Sequence, residues 1–117
     1  MKDEVKPLEI VEVNFFFPTQ GKYLPHPALV VSTAELFEEE AMFYGVLLSS
    51  KNLLPHYTIA IEPEWLNKPE RAKGYFVTHM FMMCSMRDVS KRSNTFLKPA
   101  YFDLVKTRII DSIFYNG

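Results

Sequence analysis

The residue that most invites a chemical interpretation is His26, which lies in the stretch LPHPALVVS, residues 24–32. Two prolines flank this histidine, and an unbroken apolar run follows at once. An imidazole exchanges protons near neutral pH, so His26 is a candidate general acid or base. The alternative is that His26 is only a loop residue ahead of a buried strand and has no catalytic duty.

Other common kinds of site find no match in the sequence. The histidines His26, His56 and His79 are scattered, and Cys84 is the single cysteine, so no metal-ligand spacing is present. The chain also lacks a glycine-rich phosphate loop, a dinucleotide fingerprint and a Gly-x-Ser-x-Gly elbow. We therefore expect neither a metal nor a cofactor, and polar residues at strand ends remain as the candidates for function.

The composition is that of one globular domain, which we assign to residues 1–117. The chain is 48% hydrophobic and has a formal net charge of −1, so its overall charge does not indicate a polyanionic partner. The single cysteine suits a reducing compartment. Acids interrupt the apolar residues near the N-terminus, and the longest apolar runs are too short for a membrane span. These features predict a soluble cytoplasmic protein that does not enter a membrane.

The first third of the chain predicts two strands joined by a loop. LEIVEVNFFF, residues 8–17, has apolar residues at both odd and even positions, which indicates a strand with a mixed face. The prolines and the glycine of PTQGKYLPHP, residues 18–27, predict a loop. ALVVS, residues 28–32, is apolar throughout and predicts a short central strand, in which Val30 and Val31 are buried.

The rest of the chain predicts more short strands and a closing helix. The segment KPAYFDLVKTRIIDSIF predicts an amphipathic helix, with Pro99 in its first turn and Ile109 packed on the sheet. The residues that recur at spacings of three and four are Tyr101, Leu104, Val105, Ile109, Ser112 and Ile113. Many short strands followed by one helix predict a mostly-β (α+β) fold, a compact antiparallel barrel with the helix packed across it. The other predicted elements are a short helix in STAELFEEEAMF capped by Ser32 or Thr33, strands in YGVLLSS and YTIAIEP, a short helix around Trp65, a long bent strand or hairpin arm in YFVTHMFMMCSMRDV, and a last short strand at TFL.

Several stretches, in order, resemble the MazF/PemK family of toxin endoribonucleases. VEVNFFFPTQGKYLPHPALVVS is similar to the family's opening strand, glycine-containing loop and following apolar strand, and FYGVLLSSKN is similar to its next strand, which ends in a hydroxyl residue. LKPAYFDLVKTRIIDSIF is similar to the family's closing helix. The resemblance implies an SH3-like barrel, usually a homodimer, which cleaves single-stranded RNA without a metal and is inhibited by a small antitoxin protein.

The resemblance also implies roles for individual residues. In the family's reaction a ribose 2′-hydroxyl attacks the neighbouring phosphate, which requires proton transfer and a cation for the developing charge. His26 stands where the family has an arginine, Ser49 matches its hydroxyl residue, and Arg87 matches a later arginine, so these three are the implied catalytic residues. The residues expected to bind substrate are Lys22, Ser50, Lys51, His79, Lys91 and Arg92.

The sequence also departs from the family's pattern. His26 lacks the bidentate fork with which arginine holds phosphate, and MFMMCSM places methionines where the family has polar or basic residues. Those methionines are equally suited to packing in a core or a dimer interface. The alternative function is therefore a catalytically silent SH3-like barrel that acts as a protein- or nucleic-acid-binding module, since fold alone does not confer activity.

Overall fold

One six-stranded antiparallel sheet carries the fold in the computed structural model, which describes residues 4–52 and 54–115. The strand order across the sheet is β4-β5-β3-β2-β1-β6. The prediction that residues 1–117 form a single domain extends beyond the described ranges and stays a prediction. The elements are β1 (Glu9–Phe17), β2 (Lys22–Val30), α1 (Ala34–Glu40), β3 (Phe43–Ser49), β4 (Thr58–Ala60), β5 (Tyr75–Cys84), β6 (Val89–Phe96) and α2 (Phe102–Ile113), with 3-10 turns at Pro55–Tyr57, Pro63–Trp65, Pro69–Arg71, Met86–Asp88 and Pro99–Tyr101.

The mixed pattern of β1 has a direct structural cause, because the sheet buries apolar residues on both of its faces. Val11, Val13 and Phe15 belong to one buried cluster, whereas Ile10 belongs to a second cluster that also contains Leu29. Successive side chains of a strand point to opposite faces, so buried apolar residues at both odd and even positions signal two-sided burial. The predicted strand with a mixed face is confirmed.

The predicted loop over residues 18–27 is wrong in its second half, because β2 already begins at Lys22. Pro25 and Pro27 lie inside this strand, opposite Asn14 and Glu12 of β1. They are tolerated there because β2 pairs with β3 only over residues 28–30, so the missing proline N–H groups cost no ladder bond on that side. The end of β2 is central, as predicted.

Burial at the end of β2 follows the prediction in part. Val30 is 2% exposed, but Val31 lies just beyond the strand and is only partly buried, packed against the second cluster.

Of the two residues predicted to cap the short helix α1, Thr33 is the cap, and its Oγ1 accepts a hydrogen bond from the Leu36 N–H at 3.2 Å.

Strand β5 covers the first ten residues of the segment YFVTHMFMMCSMRDV, which was predicted as a long bent strand or hairpin arm, and its pairing with β3 shifts register between Val46 and Leu48. A 3-10 turn at Met86–Asp88 then leads into β6, which is much longer than the predicted strand at TFL. The reason is that β6 is an edge strand with polar residues from Ser90 to Asn94, and charged edge strands carry no apolar pattern to recognise.

The sheet is not closed by a continuous ladder, and a short seam joins its ends instead. Leu66, in the segment after β4, forms an isolated bridge with Leu97, which follows β6. The Asn67 N–H donates to the Phe96 carbonyl at 3.1 Å, and the Lys98 N–H donates to the Trp65 carbonyl at 2.7 Å. The mostly-β antiparallel fold with a C-terminal helix is confirmed, in the form of an open barrel.

Helix α2 packs on the second cluster through Val105, which is fully buried, and through Ile109, which is partly buried. The Thr78 and Ser112 hydroxyls lie 2.8 Å apart, and Arg108 Nη1 donates to the Thr58 carbonyl at 3.2 Å. The prediction that Leu104 shares the apolar face is wrong, since its side chain is 51% exposed.

Truncation of Ile109 to alanine should lower the free energy of unfolding by about 1–3 kcal/mol, less than for a fully buried isoleucine because part of the side chain already contacts water. Leu104→Ala is the matched control on the same helix and should cost less than about 0.5 kcal/mol. Urea denaturation of both variants checks this. Equal losses at the two positions would show that α2 packs differently.

Candidate functional site

An open cavity of about 870 Å³ lies between the β1–β2 hairpin, the end of β3, the turn before β5 and strand β6. It brings together residues that are up to 85 positions apart in the sequence, from Ile10 to Thr95. Six of the nine predicted site residues line this cavity: His26, Ser49, Ser50, Lys51, Lys91 and Arg92.

His26 lies inside β2 and pairs with Val13 of β1, so its side chain is held by the sheet. Its ring packs against the Phe17 ring, with 5.1 Å between the ring centroids. The Nδ1 atom of His26 is buried and has no hydrogen-bond partner among the described residues. A ligand in the cavity can therefore reach only Nε2, which makes this the atom through which His26 could exchange a proton.

Ser49 is the last residue of β3, and its half-buried side chain lines the cavity. The Lys51 N–H donates to Ser49 Oγ at 3.1 Å, so the local backbone turn fixes the position of this hydroxyl. Because a hydroxyl has a proton to donate as well, Ser49 can still offer a hydrogen bond to an anion in the cavity. Ser50 and Lys51 follow immediately and are exposed at the same wall.

Arg92 reaches the cavity from β6, but its guanidinium also holds a buried carboxylate. Nε and Nη2 of Arg92 donate to the two carboxylate oxygens of Glu9 at 2.8 and 3.0 Å, and Glu9 is fully buried. Nη2 also donates to the Glu4 carbonyl at 2.9 Å. A bidentate pair with a buried acid gives Arg92 a structural role that the sequence did not indicate.

The charges around the cavity are unbalanced although the whole chain is nearly neutral. The acids on its wall are Glu12 and Glu70, and the cations on its wall are Lys51, Arg71, Lys73, Lys91 and Arg92. Sequence reasoning missed Arg71, Lys73 and Gln20, because the segments that carry them have no motif and reach the cavity only through the fold. This excess of positive charge suits a bound anion such as phosphate.

Two predicted site residues lie elsewhere. Arg87 is exposed in the 3-10 turn between β5 and β6 and does not line the cavity. Lys22 is exposed at the start of β2, opposite Phe17, and does not line it either.

His79 also lies outside the cavity, in a group of three rings that pack against one another at a tilt. The Tyr57 ring lies between two imidazoles, with centroid distances of 4.2 Å to His56 and 4.3 Å to His79. The Nδ1 atom of His79 is buried without a partner in the described part of the chain. Burial, and next the nearby charge of His56, lowers the pKa of His79 below its ordinary value.

The lowered pKa of His79 predicts acid sensitivity. Below the ordinary histidine pKa of about 6.5 the unfolded chain binds the proton more readily than the folded one, so stability should fall as the pH drops from there towards the folded-state pKa. Urea unfolding at pH 7.5 and 5.5 measures this loss. His79→Gln should reduce the loss, and an identical loss in that variant would assign the acid sensitivity to other groups.

Thiol chemistry and metal binding have no suitable residues in the part of the chain that the structure describes. Burial, and next the charge of Asp88, raises the pKa of the Cys84 thiol to about 12, so this cysteine is not a nucleophile at neutral pH. No cluster of three metal-binding side chains occurs within residues 4–52 and 54–115. Within the same ranges, none of the helices is long and apolar enough to cross a membrane.

Solved structures share this fold over nearly their whole length. MazF from Deinococcus radiodurans superimposes with a TM-score of 0.72 at 14% identity, covering 92% of this chain and 94% of that chain. An endoribonuclease in complex with its cognate antitoxin, from a mycobacterial species, gives 0.70 at 12% identity, covering 93% and 94%. An endoribonuclease from a mycobacterial species gives 0.68 at 15% identity, covering 97% and 99%.

At these identities the likeness shows the fold, and it confirms the fold that the resemblance implied. No protein-family model and no curated protein sequence matches the chain.

Proposed function

We propose that this protein is a toxin-type endoribonuclease of the MazF kind, which cleaves single-stranded RNA without a metal ion. The observation that carries the proposal is the shared cavity, in which an imidazole and a serine hydroxyl meet an excess of cations on this fold. The solved structures of MazF and of two endoribonucleases, one of them in complex with its cognate antitoxin, support the same proposal.

The proposed reaction is an internal transfer at phosphorus. The ribose 2′-oxygen forms a bond to the adjacent phosphorus while the bond to the 5′-oxygen breaks, which leaves a 2′,3′-cyclic phosphate and a 5′-hydroxyl. The 2′-hydroxyl loses a proton and the leaving 5′-oxygen gains one; His26 Nε2 makes one of these two transfers, and solvent water in the open cavity makes the other. Ser49 donates a hydrogen bond to a phosphate oxygen, and the cations of the wall stabilise the charge on the phosphorane.

The other residues that the resemblance implies differ in whether they line the cavity. Lys51 and Lys91 line the cavity and are suited to hold the RNA backbone, with Ser50 beside them. Arg87, Lys22 and His79 lie outside the cavity, so their contribution to the reaction needs an RNA that extends beyond it.

The expected partners follow from the same proposal. A small antitoxin protein is expected to inhibit the enzyme, as the solved complex with a cognate antitoxin suggests for its own toxin. The substrate also makes the cytoplasm the expected location.

A homodimer is the proposed assembly, and an exposed apolar surface on β3 and β5 supports it. Tyr44 lies opposite Met83 in the sheet, and its ring contacts Phe81 edge-on with 6.3 Å between centroids. Phe81 and Met83 are 44% and 59% exposed. Light scattering at micromolar concentration should give about twice the mass of one chain, and a monomer throughout that range would contradict this assembly.

Expression in a bacterial host tests the proposed function in cells. Induction of the wild-type protein should stop growth and degrade total RNA, whereas induction of His26→Ala at the same level should do neither. Undisturbed growth and intact RNA with folded wild-type protein would favour the alternative function, a catalytically silent binding module. The exposed side chains of Phe81 and Met83 would then be the surface through which that module contacts a protein.

A further inference from the structure

The segment from Lys68 to Gly74 crosses one side of the cavity as a compact turn, which we call the basic loop. Its backbone is held by three hydrogen bonds in succession: Arg71 N–H to the Lys68 carbonyl at 2.9 Å, Ala72 N–H to the Pro69 carbonyl at 3.1 Å, and Lys73 N–H to the Arg71 carbonyl at 2.9 Å. Such a turn presents its side chains from a fixed backbone rather than from a mobile tether.

Both ends of the basic loop are attached to cavity walls. At one end, Lys68 Nζ donates a hydrogen bond to the Ser93 carbonyl of β6. At the other end, Gly74 has a φ of 83°, and a Cβ on it would lie 2.3 Å from the Ser49 carbonyl oxygen. Only glycine allows this conformation and this close approach together, so the loop lies directly against the serine that we place at the scissile phosphate.

The side chains of the basic loop divide between the core and the cavity. Ala72 is partly buried and packs on the second cluster. Arg71 and Lys73, on either side of it, are exposed and line the cavity. In the part of the chain that the structure describes, the ion pairs join Arg92 to Glu9 and Lys106 to Asp103, so neither cation of the loop is neutralised by one.

We infer that Arg71 and Lys73 are positioning residues that bind backbone phosphates of single-stranded RNA beside the one that is cut. This inference rests on the proposed function and adds to it a second, unassigned wall of the substrate site, which is bonded to β6 through Lys68. Two cations held next to Ser49 by a fixed turn can bind neighbouring phosphates of a flexible strand without taking part in bond breaking.

The test is the salt dependence of RNA binding by Arg71→Ala/Lys73→Ala. The probe is a fluorescent 2′-O-methyl RNA strand, which cannot be cleaved, so the result does not depend on catalysis. Each lost phosphate contact on a single strand lowers the slope of log affinity against log salt by about 0.7, so the double variant should lose about 1.4. Between about 50 and 200 mM salt, the wild-type advantage in affinity should therefore shrink about sevenfold.

The matched control is Lys98→Ala/Lys106→Ala, which removes two exposed cations that do not line the cavity and should leave the slope unchanged. Glu70→Gln removes an acid of the same loop and should tighten RNA binding. Thermal unfolding of each variant verifies that it is folded. A kinetic readout separates positioning from catalysis, because the loop variant should raise KM for a cleavable RNA far more than it lowers kcat.

Three results would overturn the inference: a wild-type protein that does not bind the strand, an unchanged slope in the loop variant, or an equal slope change in the Lys98 and Lys106 control. A loop variant that binds RNA normally but loses affinity for polyglutamate would instead assign the loop to an acidic protein. A wild-type protein that binds the strand with the expected slope, yet cuts no RNA, would refute the proposed function while supporting the phosphate-binding role of the loop.

Discussion

Replacement of His26 with alanine should lower the rate of RNA cleavage by about 10²–10⁴-fold, the usual effect of losing a general acid or base. The ring lines the cavity wall with Nδ1 buried, so Nε2 is the atom through which His26 would act on a substrate. Cleavage of a fluorescent RNA by purified protein measures the rate. His56→Ala is the matched control, because His56 is exposed outside the cavity, and its rate should be unchanged.

His26→Arg separates the two roles that a residue at this position could have. Arginine restores a bidentate phosphate contact but does not exchange protons near neutral pH. If His26 transfers a proton, the arginine variant should bind RNA more tightly and cleave it more slowly than the wild type. Faster cleavage by the arginine variant would show that phosphate binding limits the wild type, and equal rates in the wild type, His26→Ala and His26→Arg would rule out both roles.

Replacement of Arg92 with alanine should lower the free energy of unfolding by about 3–5 kcal/mol, because it leaves a buried carboxylate without its partner. Glu9 is 0% exposed, and the remaining hydrogen bond to it that the structure describes is donated by the Lys6 N–H at 3.0 Å. Chemical denaturation measures the loss. The adjacent Lys91→Ala is the control, since Lys91 is exposed and should change stability by less than about 0.5 kcal/mol.

A double-mutant cycle isolates this ion pair from other effects of truncating Arg92. The single variants Glu9→Met and Arg92→Met complete the cycle with Glu9→Met/Arg92→Met. The double variant removes both charges and keeps apolar volume, so it should recover much of the stability that Arg92→Met loses. A double variant as unstable as the sum of the single variants would show that the two side chains do not stabilise the fold as a pair. Activity measured on Arg92→Ala reports on substrate binding only where the variant is still folded.

The elements that sequence could predict are those with an apolar pattern. β1 was recognisable because Val11, Val13 and Phe15 alternate with Ile10 across two buried faces, and the closing helix because Val105 and Ile109 share one side. Most of strand β6 was missed because the residues from Ser90 to Asn94 are polar, and its place at the sheet edge is set by pairing with β1. Apolar periodicity carries no information about such a strand.

The site was predictable only where a family resemblance marked individual positions. His26 and Ser49 do line the same cavity. The basic loop lines that cavity too, but it has no sequence motif, and its position depends on the close approach of Gly74 to Ser49. The net charge of −1 concealed the local excess of cations, because acids of α1 such as Glu39 offset them on another part of the surface. The pairing of Arg92 with Glu9 spans 83 positions, a distance that local sequence does not encode.

The most direct test of the central claim is the chemistry of the cut made by the purified protein in the presence of EDTA. A single-stranded RNA should be cleaved to fragments with a 2′,3′-cyclic phosphate and a 5′-hydroxyl, and a 2′-deoxy sugar at the cut site should abolish cleavage there. Mass spectrometry of the fragments identifies both ends. Fragments with a 5′-phosphate, cleavage that survives the 2′-deoxy substitution, or intact RNA with folded wild-type protein would contradict the account.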